Sequence, residues 1–312
     1  MDLETARRRL TGCYVTVPTM FRDGDLELDV PAQRRVVRFL VDSGIKEGTG
    51  VLLSGGGAGD FMTMSIAERV RLAETVAEEA AGDIALIVGA QTTSTRELVE
   101  LARQAERLGA EFIQVSAPFY FSHTEDDFYE YVVAAAEATS IGIVLYNTFW
   151  TSIGVSTGLI ERLLEIPNFV GLKWSVPTGS CLGFERVVAA YRDRLHIIDN
   201  DVRFVSSHIL GARSIELHVA NYWPQFGVRL WQLLEDGNYV AAQNEIIRVV
   251  APFYELREEM EKYTAGDGYL DKLCLELVGL GSSRCRPPTR DVRDRFREKA
   301  RLMLERCDVP SV

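Results

Sequence analysis

Residues 85–120 read ALIVGAQTTSTRELVELARQAERLGAEFIQVSAPFY, and this stretch decides the fold. It opens on a short apolar run, Ala85–Val88. After a polar turn, the segment Thr95–Leu108 places Leu98, Leu101, Ala102, Ala105 and Leu108 at three- and four-residue spacing, which makes one apolar face of a helix. Leu108-Gly109 then supplies a helix stop with a residue free to turn left-handed, and a second run, Phe112–Val115, follows at once. Strand, helix and strand in that order form a βα repeat, whose strands lie parallel.

The same rhythm extends in both directions. Candidate strands are Cys13–Val17, Gly50–Leu53, Ala85–Val88, Phe112–Val115, Gly142–Leu145, Val170–Leu172, His196–Ile198 and Ser214–Leu217. Between them, Ala67–Ala81, Asp126–Thr139 and Phe184–Tyr191 repeat the helical spacing, and Ser43-Gly44 and Leu210-Gly211 repeat the glycine stop. Eight such units predict an α/β fold, a closed (β/α)8 TIM barrel, because a doubly wound open sheet uses about five or six strands. The barrel is expected over residues 1–226. Residues 227–312 read as a C-terminal helical extension packed on it, with helices at Val228–Glu235, Tyr239–Tyr263 and Arg290–Cys307, broken at Gly266-Asp267-Gly268 and Arg286-Pro287-Pro288.

Composition narrows the classes of function. A hydrophobic content of 47% with 25% charged residues matches ordinary globular chains, so a disordered or fibrous protein is not indicated. A net charge of -11 argues against a nucleic-acid partner, which calls for a basic face. The N-terminus, MDLETARRRL, has an arginine cluster with no apolar core behind it, and no apolar run approaches the roughly 20 residues that span a bilayer. The expectation is a cytoplasmic protein with no membrane partner. Its five cysteines, Cys13, Cys181, Cys274, Cys285 and Cys307, are odd in number and lack ligand spacing; they read as reduced thiols. The four histidines form no HExxH-type pair, so neither a metal nor another cofactor is expected.

Barrel enzymes carry their reacting groups at the C-terminal ends of the strands. Lys173 stands there, directly after the apolar run Asn168-Phe169-Val170-Gly171-Leu172. A lysine is rarely buried without a reason, and only a neutral amine attacks a carbonyl to form a Schiff base. The bland alternative is a lysine that snorkels or is salt-bridged. Tyr146 closes the preceding strand, where its phenol could relay protons during carbinolamine formation and loss of water; a core tyrosine with a satisfied hydroxyl reads the same way in sequence. The run Ser54-Gly55-Gly56-Gly57-Ala58-Gly59 joins strand to helix with amides free to gather on an anion, such as a carboxylate, or to serve as a plain turn.

Taken together, these motifs resemble the dihydrodipicolinate synthase / N-acetylneuraminate lyase family of pyruvate-type class I aldolases over nearly the whole chain. The resemblance rests on Gly12 through Pro18-Thr19, Gly57-Ala58-Gly59-Asp60, Pro118-Phe119-Tyr120, Tyr146-Asn147, Gly171-Leu172-Lys173 and Gly211 through Ala220-Asn221. It implies that Lys173 is the Schiff-base lysine, Tyr146 the acid/base beside it, and Tyr120 a tyrosine lent to a neighbouring subunit. It also implies a homotetramer built as a dimer of dimers. Ser54, Gly56, Gly57, Ala58 and Asn221 would line the site of a small 2-oxo acid.

The sequence departs from the family pattern in two places. Gly57 and Ala58 stand where the family carries hydroxyls, and Ser54 is the candidate to supply one from a shifted position. After Tyr146-Asn147 the run Thr148-Phe149-Trp150-Thr151-Ser152 lacks the arginine that the lysine-pathway synthases use for their second substrate. Phe149, Trp150, Trp174, Tyr222 and Trp223 lie just past strand ends and suit an aromatic or hydrophobic aldehyde, although some of these rings fit packing against the helical tail equally well. The expected activity is a Schiff-base lyase or aldolase on pyruvate or another 2-oxo acid. A dehydratase or hydratase-aldolase working through the same imine is the alternative, and a non-catalytic keto-acid binder is a third.

Overall fold

A computed structural model describes residues 1–151, 153–175 and 183–310. Eight parallel strands close into a barrel in sequence order: β1 (Gly12–Val17), β2 (Gly50–Ser54), β3 (Leu86–Gly89), β4 (Phe112–Ser116), β5 (Gly142–Thr148), β6 (Phe169–Ser175), β7 (His196–Asp199) and β8 (Ser214–Glu216). Each coincides with an expected run to within a few residues. Closure is direct, with Gly12 paired to Ser214 and Tyr14 to Glu216. Gly12 has φ +115, and a Cβ there would meet the Thr49 carbonyl carbon at 2.2 Å, so only glycine lets β1 begin against the turn before β2.

The helices alternate with the strands. They run α1 (Leu3–Leu10), α2 (Val30–Asp42), α3 (Ile66–Ala80), α4 (Thr95–Arg107), α5 (Glu125–Ala138), α6 (Thr157–Leu163), α7 (Gly183–Tyr191) and α8 (Phe204–Leu210). The C-terminal helices follow as α9 (Pro224–Glu235), α10 (Tyr239–Glu245), α11 (Ala251–Met260), α12 (Tyr269–Leu277) and α13 (Arg293–Arg306). Side-chain caps set several starts, among them Ser65 with Glu68 and Thr124 with Asp127, where each hydroxyl accepts an amide and each carboxylate returns the bond. The single helix expected over Tyr239–Tyr263 is interrupted at Ile246–Val250 by a turn of π-helix ahead of Pro252. Proline supplies no amide to the ladder, and one extra residue in the turn accommodates it.

The described chain divides into two compact units. One holds Met1–Tyr14, Lys46–Leu53 and Gly82–Glu216; the other holds Val15–Ile45, Ser54–Ala81 and Leu217–Val312. The first unit contains a buried apolar cluster drawn from α1 and from strands β1 to β7, including Leu10, Tyr14, Val51, Ile87, Phe112, Val144, Val170 and Ile198. In the second, α2 and α3 are tied by Arg34 to Glu78 and Glu79 and by Arg38 to Glu79. No described helix is long and apolar enough to cross a membrane.

Candidate active site

Strand β6 is apolar on both sides of Lys173, which forces that side chain into the barrel interior or out toward the helices, and the register settles the choice. Lys173 pairs with Tyr146 on β5 and with Ile198 on β7, and Ile198 belongs to the interior cluster. Lys173 therefore points inward, with its side chain 4% exposed. Its Nζ lies 4.5 Å from the ring centroid of Tyr14 and 4.6 Å from that of Tyr146, so two aromatic faces hold the cation. The Tyr14 hydroxyl donates to Oε1 of Gln114 at 2.8 Å, and the Tyr146 hydroxyl accepts from Nδ2 of Asn200 at 2.9 Å.

The charge on Lys173 is met by Glu216, a residue that the sequence reading missed. Nζ donates to Oε2 of Glu216 at 2.6 Å, and this carboxylate is also 4% exposed. The available signal was a glutamate in the apolar run Ser214-Ile215-Glu216-Leu217. A charge at an inward position of a buried strand needs a partner, and the buried lysine two strands away is one.

Asn200 follows β7, and its amide donates to the Trp174 carbonyl at 3.0 Å, which anchors the loop that carries it. Beside it, burial pushes the Asp199 carboxyl up to about 7, against the pull of the Ser207 hydroxyl and the Asp201 amide, which donate to it at 2.5 and 2.7 Å. Burial likewise pushes Asp201 up to about 6, with Arg203 pulling the other way. Lower in the barrel, burial takes His196 down to about 3.

The remaining predicted residues divide. Phe149 stands 54% exposed, meets Trp150 at 5.1 Å, and Trp150 meets the Tyr146 ring edge-on at 6.5 Å, so an aromatic chain leads from solvent to Tyr146. Trp174 does not join it. As the next residue after Lys173 it faces the other way and stacks on Phe184 of α7 at 6.3 Å. Tyr222 stacks on Phe253, and Trp223 packs on Phe226, so these rings are spent on helix packing. Tyr120 has φ +95, is 88% exposed and touches Phe121 edge-on.

In the second unit, the Ser54 hydroxyl is buried without a hydrogen-bond partner among the described residues. Past it the chain turns tightly, the amides of Gly59 and Asp60 donating to the carbonyls of Gly56 and Gly57, while Ala58 is buried close to Gly268. Asn221 is fully engaged on its donor side, giving Nδ2 hydrogen bonds to the Thr16 carbonyl and to Asp271. Asp271 also holds His218 at 3.1 Å, and although burial pulls that imidazole down, the carboxylate prevails and raises it. Asp60 is paired with the wholly buried Lys272.

Comparison with known proteins agrees with this architecture. A family model described as the dihydrodipicolinate synthetase family matches residues 9–307. The 4-hydroxy-tetrahydrodipicolinate synthase of Laribacter hongkongensis is 26% identical over 303 residues, covering 96% of this chain and 99% of its own. Among solved structures, the chloride-inhibited dihydrodipicolinate synthase of Acinetobacter baumannii complexed with pyruvate superposes with a TM-score of 0.84 at 23% identity, covering 96% of this chain and 99% of that one. N-acetylneuraminate lyase from Fusobacterium nucleatum gives 0.82 at 19% identity with the same coverage.

Proposed function

Because this chain belongs to the dihydrodipicolinate synthetase family, whose members are class I aldolases and lyases working through a Schiff base, we propose that Lys173 captures the carbonyl of a 2-oxo acid. The observation that carries the reading is the burial of Lys173 at an inward register position directly beside Tyr146, with its Nζ 4.6 Å from that ring. A buried amine next to a phenol has what imine chemistry needs, a nucleophile and a group that passes protons between nitrogen and oxygen. Within the second unit, the Ser54 hydroxyl, without a hydrogen-bond partner among the described residues, suits a carboxylate oxygen, with the backbone of Gly56, Gly57 and Ala58 following it in the chain.

For the second half of the reaction we favour a hydrophobic or aromatic aldehyde. The chain of rings from Phe149 through Trp150 to Tyr146 supports it, and the run after Asn147 carries no arginine to hold a second carboxylate. Tyr120 and Phe121, both largely exposed, suit burial against further copies of the chain in a tetramer. A cytoplasmic setting suits the free thiols of Cys13, Cys274, Cys285 and Cys307.

The test is borohydride reduction with pyruvate, and separately with a bulkier aryl-substituted 2-oxo acid, followed by mass analysis of the peptide that contains Lys173. A mass gain on Lys173 is expected with at least one of them. An unmodified lysine with both removes the reading. Product analysis with aromatic and sugar-derived substrates then separates carbon–carbon cleavage from dehydration.

A further inference from the structure

Glu216 has no place in the chemistry drawn so far, yet its Oε2 is 2.6 Å from the nitrogen that must react. A structural pairing alone is a poor account of it. Two buried charges cost more to desolvate than their attraction returns unless geometry and supporting bonds are excellent, and apolar residues of similar volume serve stability as well. Of the nearby hydroxyls, that of Tyr14 gives its proton to Gln114, and that of Tyr146 accepts from Asn200. Among the described residues, Glu216 is the one carboxylate with an ion pair to Lys173.

Resting on the Schiff-base reading, we propose that Glu216 is a catalytic acid/base that takes the first proton from Lys173 and returns it to the departing oxygen. Transfer along Nζ–H···Oε2 turns the ion pair into a neutral amine and a carboxylic acid, leaving no charge in the buried site. The amine lone pair then forms the C–N bond to C2 of the 2-oxo acid, and the carbonyl π pair moves onto oxygen. A proton passes from nitrogen to that oxygen, the step suited to the Tyr146 phenol. The acid form of Glu216 next protonates the carbinolamine hydroxyl, the C–O bond breaks, water leaves, and the nitrogen lone pair closes the C=N bond. The product is an iminium cation paired with a regenerated carboxylate, so the charge pattern at the end repeats that at the start. One ammonium and one carbonyl have become one iminium and one water. The carboxylate thus stabilises the cationic intermediate in the geometry it already holds, with no reorganisation.

The experiment measures the rate at which pyruvate, or the 2-oxo acid that labels the wild-type protein, is trapped on Lys173 by cyanoborohydride, as a function of pH. Wild type, Glu216→Gln and Glu216→Ala are compared as full-length proteins. An internal base predicts a wild-type rate nearly independent of pH between about 6 and 9. Glu216→Gln is expected to slow trapping at pH 7 by about 10²–10⁴-fold and to make the rate climb with pH as solvent base takes over. Added formate should recover part of the rate in Glu216→Ala and none in Glu216→Gln, whose amide fills the space.

Trapping by Glu216→Gln at the wild-type rate and with the wild-type pH profile would overturn the proposal. Should neither variant fold, a wild-type rate that already climbs tenfold per pH unit would overturn it as well. Wild-type protein that traps no 2-oxo acid would instead remove the Schiff-base reading itself, which separates the two failures.

Discussion

Asn200 donates its side-chain Nδ2 to the hydroxyl of Tyr146 at 2.9 Å, fixing a phenol whose ring lies 4.6 Å from Nζ of Lys173. The ring and the hydroxyl therefore do different work, one against the cation and one toward the transferred proton. Tyr146→Phe keeps the ring and is expected to slow imine formation by about 10²–10³-fold with little change in the 2-oxo acid concentration needed for half-maximal rate. Asn200→Ala leaves the phenol but frees its orientation, and a loss of about tenfold is expected. Stopped-flow measurement of imine formation checks both, and a Tyr146→Phe rate equal to wild type would remove the relay role.

The pair Lys173–Glu216 makes a second prediction, on stability. Both side chains are almost entirely buried, so removing either one leaves an uncompensated charge in the barrel. Lys173→Met and Glu216→Gln are each expected to destabilise by about 3–5 kcal/mol, and the double variant by clearly less than their sum. Urea unfolding of the four proteins measures this cycle. Additive losses would mean that the two groups do not feel each other.

The barrel was legible because its signal is periodic. Each strand is a short apolar run and each helix repeats its spacing over several turns, so all eight strands could be read with errors confined to their ends. Lys173 and Tyr146 were legible because they sit where apolar runs stop. Glu216 was not, for it lies inside a run so short that a single charged residue looks like the strand's edge. Trp174 is the opposite case. Its position past a strand end pointed to a site, whereas alternation along β6 turns it away from Lys173 and onto Phe184. Sequence position told which strand end a residue occupies, and only the register told which side.

His196 makes a prediction about tautomer and acid stability. Ser214 gives its one hydroxyl proton to the Leu10 carbonyl, so the 2.7 Å contact between Ser214 Oγ and His196 Nε2 requires the ring nitrogen to donate. His196 is then a neutral Nε2–H imidazole whose Nδ1 is buried without a partner among the described residues. Burial takes it from its ordinary value of 6.5 down to about 3. The folded state resists the proton that the unfolded chain accepts. The stability this gives is complete above pH 6.5 and is lost as pH falls toward 3. Nitrogen-15 NMR at pH 5 should find this imidazole still neutral and protonated at Nε2; a charged ring at that pH would contradict the assignment.

Asp199 works in the opposite direction. Its carboxyl is raised from 3.8 to about 7, chiefly by burial, so between those values the folded protein keeps a proton that the unfolded chain has released. The folded state binds the extra proton, and stability therefore falls as pH rises through this window and levels off above it. Full expression of the shift corresponds to a few kcal/mol, at about 1.4 kcal/mol for each unit. Asp199→Asn keeps Oδ1 as the acceptor for the Asp201 amide and puts Nδ2 where Oδ2 stood, so the Ser207 hydroxyl turns to donate to the Phe204 carbonyl, 3.3 Å away, and accepts from Nδ2; the fold is retained while the titration is removed. The variant should match wild type near pH 4, gain on it steadily from pH 5 to pH 7, and hold a constant advantage at pH 8. Thermal melts at these four values decide it. An advantage that does not grow with pH would place the ionised carboxylate in the fold at no cost, which its complete burial argues against.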